Sequence, residues 1–181
     1  MGCGKSSVGK ILATLLPECR LIDLDTYIEE KQGKNIPEIF NEYGEAAFRR
    51  MEREALEEIF SDKSRPRAIL SLGGGTVTSE QCRQLIRQHT DCFYLRATTD
   101  TLLDNLEGHS DGRPMLNPTQ PVEAQSTETS SEREALRHRI ESLMQTRSPQ
   151  YIATANHIID IDGLSFAQIA EAVEDNSLNI K

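Results

Sequence analysis

The sequence predicts one α/β domain built on a parallel sheet flanked by helices on both faces. Three observations lead there. Short apolar runs alternate with stretches of helical periodicity, the order that builds strand–helix–strand crossovers. A glycine-rich segment, Gly2-Cys3-Gly4-Lys5-Ser6-Ser7, runs directly into an amphipathic helix. The 181 residues, 37% hydrophobic and 27% charged, suit one core and not two.

Each element has its own signal. Val8, Ile11, Leu12, Leu15 and Leu16 recur at helical spacing over Lys5–Leu16, and Pro17 stops that helix. Arg20–Asp23 reads as a short strand ending in acid. Pro37 opens a short helix that Gly44 ends, and a longer helix follows over Glu45–Phe60. Ala68–Leu72 is an apolar strand running into Gly73-Gly74-Gly75. Ser79 caps the next helix, which carries Cys82, Leu85 and Ile86. Cys92–Leu95 is a strand, and Thr99 starts a helix through Leu102, Leu103 and Leu106. Between residues 108 and 131 the periodicity vanishes in a Pro-, Ser-, Thr- and Glu-rich stretch, read as a mobile lid. Glu132–Arg147 returns to helical spacing, His157–Ile161 is the last strand, and Ser165 with Gln168 forms a capping box for the last helix.

The net charge of −9 argues against nonspecific nucleic-acid binding. Cys3, Cys19, Cys82 and Cys92 show neither metal-ligand nor disulfide spacing, which fits a reducing compartment. No apolar run approaches the roughly 18–20 residues of a membrane span. A cytoplasmic monomer acting on small molecules is the expectation.

The opening segment matches the end of the P-loop pattern G-x-x-x-x-G-K-S/T. Glycines let backbone N–H groups close around phosphate oxygens, and the helix N-terminus adds partial positive charge. In such a loop Gly2, Cys3, Gly4, Lys5, Ser6 and Ser7 contact the nucleotide. Lys5 reaches the β- and γ-phosphates, and Ser6 ligates Mg²⁺. The first glycine of the pattern would precede Met1, and the central strand that feeds such a loop is absent. A start placed too late is favoured over a truncated product, because a domain without its central strand should be barely stable.

Further along, Asp23 and Asp25 form an i, i+2 carboxylate pair: Asp23 suits a metal through water, and Asp25 suits a hydroxyl whose proton it can take. The competing reading is a helix cap before Thr26. Arg49 and Glu52 share a helix face, either as a solvated surface pair or with Glu52, on the stripe of Phe48 and Ala55, aiming Arg49 at a cleft. Gly73-Gly74-Gly75 permits close approach of a ligand or forms a flexible turn. Arg113, in the irregular stretch, suits transferred phosphate charge, and Arg147, before Pro149 and Tyr151 at a helix junction, suits a carboxylate.

This ordered set resembles the shikimate kinases: Gly-x-Gly-Lys-Ser, Asp23-x-Asp25, Gly44-Glu45 with Phe48-Arg49 and Glu52, Gly73–Gly75, Arg113-Pro114, then Arg147-x-Pro149-x-Tyr151. The resemblance implies a nucleoside-monophosphate-kinase-like fold, ATP and Mg²⁺, and transfer of the γ-phosphate to shikimate in aromatic amino-acid biosynthesis. It implies that Arg49 and Arg147 hold the substrate carboxylate while Arg113 arrives from the lid. Asp25 contacts the ring hydroxyls and serves as base, Gly73, Gly74 and Gly75 line the same pocket, and Asp23 and Ser6 fall on the metal side. Two departures stand out. The segment around Pro118–Ser131 is longer than usual, and the position where the family often has an arginine against adenine is Leu106. Two other readings remain: another small-molecule P-loop kinase, such as a gluconate kinase, and a truncated or degenerate kinase-like protein that binds nucleotide without turnover.

Overall fold

The computed structural model describes residues 2–62, 67–106 and 129–178. The chain order is α1 (Lys5–Leu15), β1 (Arg20–Asp23), α2 (Leu24–Gln32), α3 (Ile36–Ser61), β2 (Ala68–Ser71), a 3-10 turn (Thr76–Thr78), α4 (Glu80–His89), β3 (Phe93–Arg96), α5 (Thr99–Leu106), α6 (Thr129–Thr154), β4 (His157–Asp160) and α7 (Phe166–Leu178). The predicted lid up to residue 128, with Arg113, lies outside the described residues, and its last three residues belong to α6.

All strand pairing is parallel, as predicted. β1 pairs β2 in the register Arg20↔Ala68, and β3 pairs β4 in the register Phe93↔His157. Among the described residues these remain separate two-stranded sheets, with no strand joining them. Two apolar clusters follow the same division. One gathers Val8, Leu12, Leu95, Leu103, Ile140 and Ile169; the other gathers Leu24, Ile28, Ile39, Leu56, Val77 and Ile86. A cavity of about 80 Å³ lies between the halves, with Leu72 and Val77 on one side and Phe93 and Leu95 on the other.

Two local outcomes differ from the sequence reading, and the expected break at Gly44 is met. Residues after Asp23 form α2, which the periodicity did not reveal; its start is fixed by Asp23, whose Oδ1 accepts from the backbone N–H groups of Asp25 (3.1 Å) and Thr26 (3.4 Å). Its end is fixed by Gly33 in the left-handed region (φ 64°). Within α3, Gly44 (φ 76°, ψ 170°) leaves helical geometry and separates two helical stretches, as the sequence predicts. α6 does not end near Arg147: it carries Pro149 inside and continues to Thr154. Proline removes one helical N–H, usually at a cost of about 3 kcal/mol. Here tertiary bonds from Arg147 and Tyr151 hold the flanking turns in place. The predicted caps form: the Ser79 side chain accepts from Cys82 N–H, and Ser165 and Gln168 complete a capping box.

Candidate active site

The head of α1 is an open anion site. Gly4 occupies its N-cap in the left-handed region (φ 75°), and no side chain caps the first turn. The orphan N–H groups of that turn therefore face outward, where the helix dipole favours negative charge. Glycine is required at this point twice over. A side chain would be strained at that φ, and its Cβ would fall about 3.0 Å from Phe166 Cδ1, with Cε1 closer still. Gly2 is also left-handed (φ 67°), packs against Leu106, and has its carbonyl held by Asn105 Nδ2 at 2.8 Å. Ser6 and Ser7 are exposed on the first turn.

Cys3 turns inward. It is buried in the core cluster with Leu12 and Leu103, and its Sγ lies 3.8 Å from Lys5 Nζ. Burial pushes the thiol up most strongly, but the Lys5 ammonium, the terminal amino group and hydrogen bonds to the sulfur together outweigh it, and the pKa falls to about 7. In return Cys3, followed by Tyr151 and Asp25, raises the Lys5 pKa against the effect of burial. Lys5 thus stays charged. From this position Cys3 lines the cavity beside Lys5.

Asp23 combines two roles that the sequence reading set against each other. One carboxylate oxygen caps α2, and the other accepts from Ser6 Oγ at 3.1 Å. Ser6 and Asp23 are therefore adjacent oxygen donors at the head of α1. Mg²⁺ keeps most of its ligands as water and phosphate and takes one or two from protein. This pair fits such an ion. Among the described residues no group of three His, Cys, Asp or Glu residues could hold a metal by itself.

The glycine triplet gathers the remaining predicted residues. A Cβ on Gly73 would fall 2.8 Å from Asp25 Oδ1. The Gly74 carbonyl accepts from Tyr151 OH at 2.6 Å and Arg147 Nη1 at 3.3 Å. A Cβ on Gly75 would fall 2.6 Å from Arg49 Cζ and 2.7 Å from its Nη1. Side chains from α2, α3 and α6 thus converge on three consecutive backbone positions. Lys5, Gly73, Gly74 and Tyr151 also line the same cavity, which joins the triplet to the phosphate loop.

The charges there are concentrated. Asp25 is raised to about 6 by burial, then by the like charges of Asp23 and Glu52, with Lys5 opposing. Glu52 is fully buried and accepts from Arg49 Nη1 and Thr76 Oγ1, both at 2.5 Å. Burial pushes its carboxyl up, while Arg49 and Thr76 work against that. Arg49 also donates through Nη2 to Glu45 at 3.0 Å. Its Nε is buried without a partner among the described residues. The surface-pair reading of Arg49 and Glu52 is thereby ruled out. Leu106 is fully buried in the core. Thr76 and the Tyr151–Gly74 bond were missed. Periodicity carries no signal for a buried hydroxyl, although Tyr151 was visible within the Arg147-x-Pro149-x-Tyr151 run.

A helix start left open to anions, headed by a lysine and a hydroxyl, meets the needs of a nucleotide's phosphates. Arginines and a perturbed carboxylate around a glycine turn meet those of a small polar acceptor. Together with parallel strands alternating with helices, this defines a P-loop kinase. The relatives narrow the class. The shikimate kinase family model matches residues 1–176. A shikimate kinase of Chlorobaculum tepidum is 39% identical over 151 residues, covering 83% of this chain and 73% of the relative. One from Thermus thermophilus is 34% identical over 173 residues, covering 96% and 83%. The crystal structure of shikimate kinase from Acinetobacter baumannii in complex with shikimate superposes with a TM-score of 0.82 at 29% identity, covering 100% of this chain and 91% of that one. The chain belongs to the shikimate kinase family.

Proposed function

We propose that residues 1–181 form one kinase domain that transfers the γ-phosphate of ATP to a ring hydroxyl of shikimate, acting as a monomer in the cytoplasm. The observation that carries this reading is the convergence of Asp25, Arg49 and Arg147 on Gly73–Gly75, beside the Lys5 loop. Shikimate offers one carboxylate and three hydroxyls, and that cluster offers guanidinium donors and a carboxylate acceptor.

Arg49 and Arg147 take the substrate carboxylate, with the orphan Nε of Arg49 among the donors. A guanidinium fork suits that task better than an ammonium. Asp25 accepts the hydroxyl proton, and its pKa of about 6 leaves it ionised yet basic enough to do so near neutrality. Lys5 holds the phosphates from the head of α1, and Ser6 and Asp23 hold the Mg²⁺ that comes with the nucleotide. That ion, when bound, neutralises charge on the phosphate oxygens. Arg113, outside the described residues, is assigned by resemblance to the transferring phosphate.

The test is shikimate-dependent ADP release. Turnover with shikimate and none with gluconate supports the reading; turnover with gluconate alone moves it to another small-molecule kinase. The separation of the β1–β2 pair from the β3–β4 pair favours one other reading, that this chain holds nucleotide without transferring phosphate. ATP binding by a folded sample with no acceptor-dependent ADP would support that alternative.

A further inference from the structure

We infer that Thr76 is a positioning residue for the substrate carboxylate, acting through Glu52 on Arg49. Thr76 opens the 3-10 turn after the glycine triplet and is fully buried. Its backbone N–H donates to Gly73 O at 3.2 Å, so the residue is fixed to the turn it follows. Its hydroxyl donates to Glu52 Oε1, and the other oxygen of that carboxylate, Oε2, accepts from Arg49 Nη1.

The chain of bonds sets a plane. A carboxylate held at one oxygen can rotate about its terminal torsion, which is broad and two-fold. Held at both oxygens, Glu52 presents Oε2 in one direction. Arg49 must then lie flat against the α-carbon of Gly75, where even a methyl group has no room. In that orientation Nη1 and Nη2 each give one N–H to Glu52 and Glu45 and keep a second, while Nε is buried without a partner among the described residues. The same hydroxyl borders Gly73, where Thr76 Oγ1, Glu52 Oε1 and Asp25 Oδ1 all lie about 3 Å from a Cβ position. Thr76 touches neither guanidinium nor ligand site directly; its effect passes through Glu52.

The proposal rests on the assignment of Arg49 to the carboxylate, so the two are tested separately. Arg49→Lys should raise the shikimate KM whatever Thr76 does; an unchanged KM there removes the assignment. The Thr76 test compares Thr76→Val, which keeps volume without a donor, with Thr76→Ser, which keeps the donor. Thr76→Val is expected to raise the shikimate KM about tenfold, with kcat and the ATP KM within about threefold. Thr76→Ser is expected to stay within about threefold of the parent on all three. A Val variant with unchanged shikimate KM, or one whose ATP KM rises in step, overturns the proposal. So does a Ser variant as impaired as Val, since the methyl group would then be what matters. Should the Val chain not fold, Thr76→Cys carries the test: its thiol is a weak donor of similar size. A Cys variant impaired like the expected Val variant supports the proposal, and one matching the parent overturns it.

Discussion

Replacing Gly75 with alanine probes the Arg49 arrangement through one methyl group. Gly75 lies at φ −100°, ψ −10°, a conformation alanine adopts without strain, so the backbone itself is no obstacle. The added Cβ would lie 2.6 Å from Arg49 Cζ and 2.7 Å from Nη1. Favourable contacts begin near 3.5 Å, so the guanidinium must retreat by about 0.9 Å. It cannot do so while Nη1 holds the buried Glu52 at 2.5 Å. Removing one partner of a buried ion pair costs about 3–5 kcal/mol. Arg49 keeps its link to the exposed Glu45, and Glu52 keeps Thr76, so we expect a smaller loss of about 2–3 kcal/mol. For a chain of this size that lowers Tm by about 4–12 °C. Losing a charge-assisted grip on the carboxylate, worth about 1.5–3 kcal/mol, raises the shikimate KM about 10- to 100-fold. Coupled ADP-release kinetics over a shikimate series, with a thermal melt on the same sample, measures both. A Gly75→Ala chain with an unchanged Tm and a shikimate KM within about twofold of the parent would refute the packing argument.

Asp25→Asn should abolish turnover and stabilise the fold. Because the folded pKa of about 6 lies above the ordinary carboxylate value of 3.8, Asp25 favours folding below pH 4 and that contribution is lost as pH rises through 6. The two-unit shift converts to roughly 3 kcal/mol, so the asparagine variant should gain up to that amount above pH 6 and almost nothing below pH 4 in urea titrations. In the parent, kcat/KM should fall about tenfold per unit as pH drops below 6; a flat profile to pH 5 would remove Asp25 as the base. Gly4→Ala combines left-handed strain of about 1–2 kcal/mol with overlap on Phe166, and should abolish ATP binding in a fluorescent-nucleotide titration. Tyr151→Phe removes the 2.6 Å bond to Gly74 O, leaving only the longer one from Arg147, and should lower stability by about 1 kcal/mol and raise the shikimate KM severalfold.

Much of this was legible in the sequence because it depends on local rules. A glycine–lysine–serine run before a periodic helix can be read as a phosphate loop wherever it occurs, and α1 begins at Lys5 as expected. The glycine triplet was readable because a strand ends in it. Asp23 was only half readable: a metal-side carboxylate and a helix cap look like rivals in one dimension, yet a carboxylate has two oxygens, and while one caps α2 the other accepts from Ser6 Oγ. α2 escaped notice because it is short and buries mainly Leu24 and Ile28, too few for a periodic stripe. The extent of α6 was misjudged for a different reason. Pro149 is a local stop signal, and the bonds that override it run 73 and 77 residues back to Gly74. Cys3 turned inward because the core cluster around Leu103 closes over the loop, a packing fact that no spacing encodes. Glu52 lies on the apolar stripe of α3, which set a role in orienting Arg49 against a solvated surface pair, and it is buried there.

The central claim is that residues from α2, α3 and α6 meet at Gly73–Gly75 to hold shikimate beside the Lys5 loop. The most direct measurement is shikimate-dependent ADP release by this chain, with circular dichroism on the same sample to establish folding. The account predicts turnover that saturates in shikimate and is lost in Arg49→Ala and Arg147→Ala. A folded chain that binds ATP yet releases no ADP on addition of shikimate, or whose turnover survives the loss of both arginines, would contradict it.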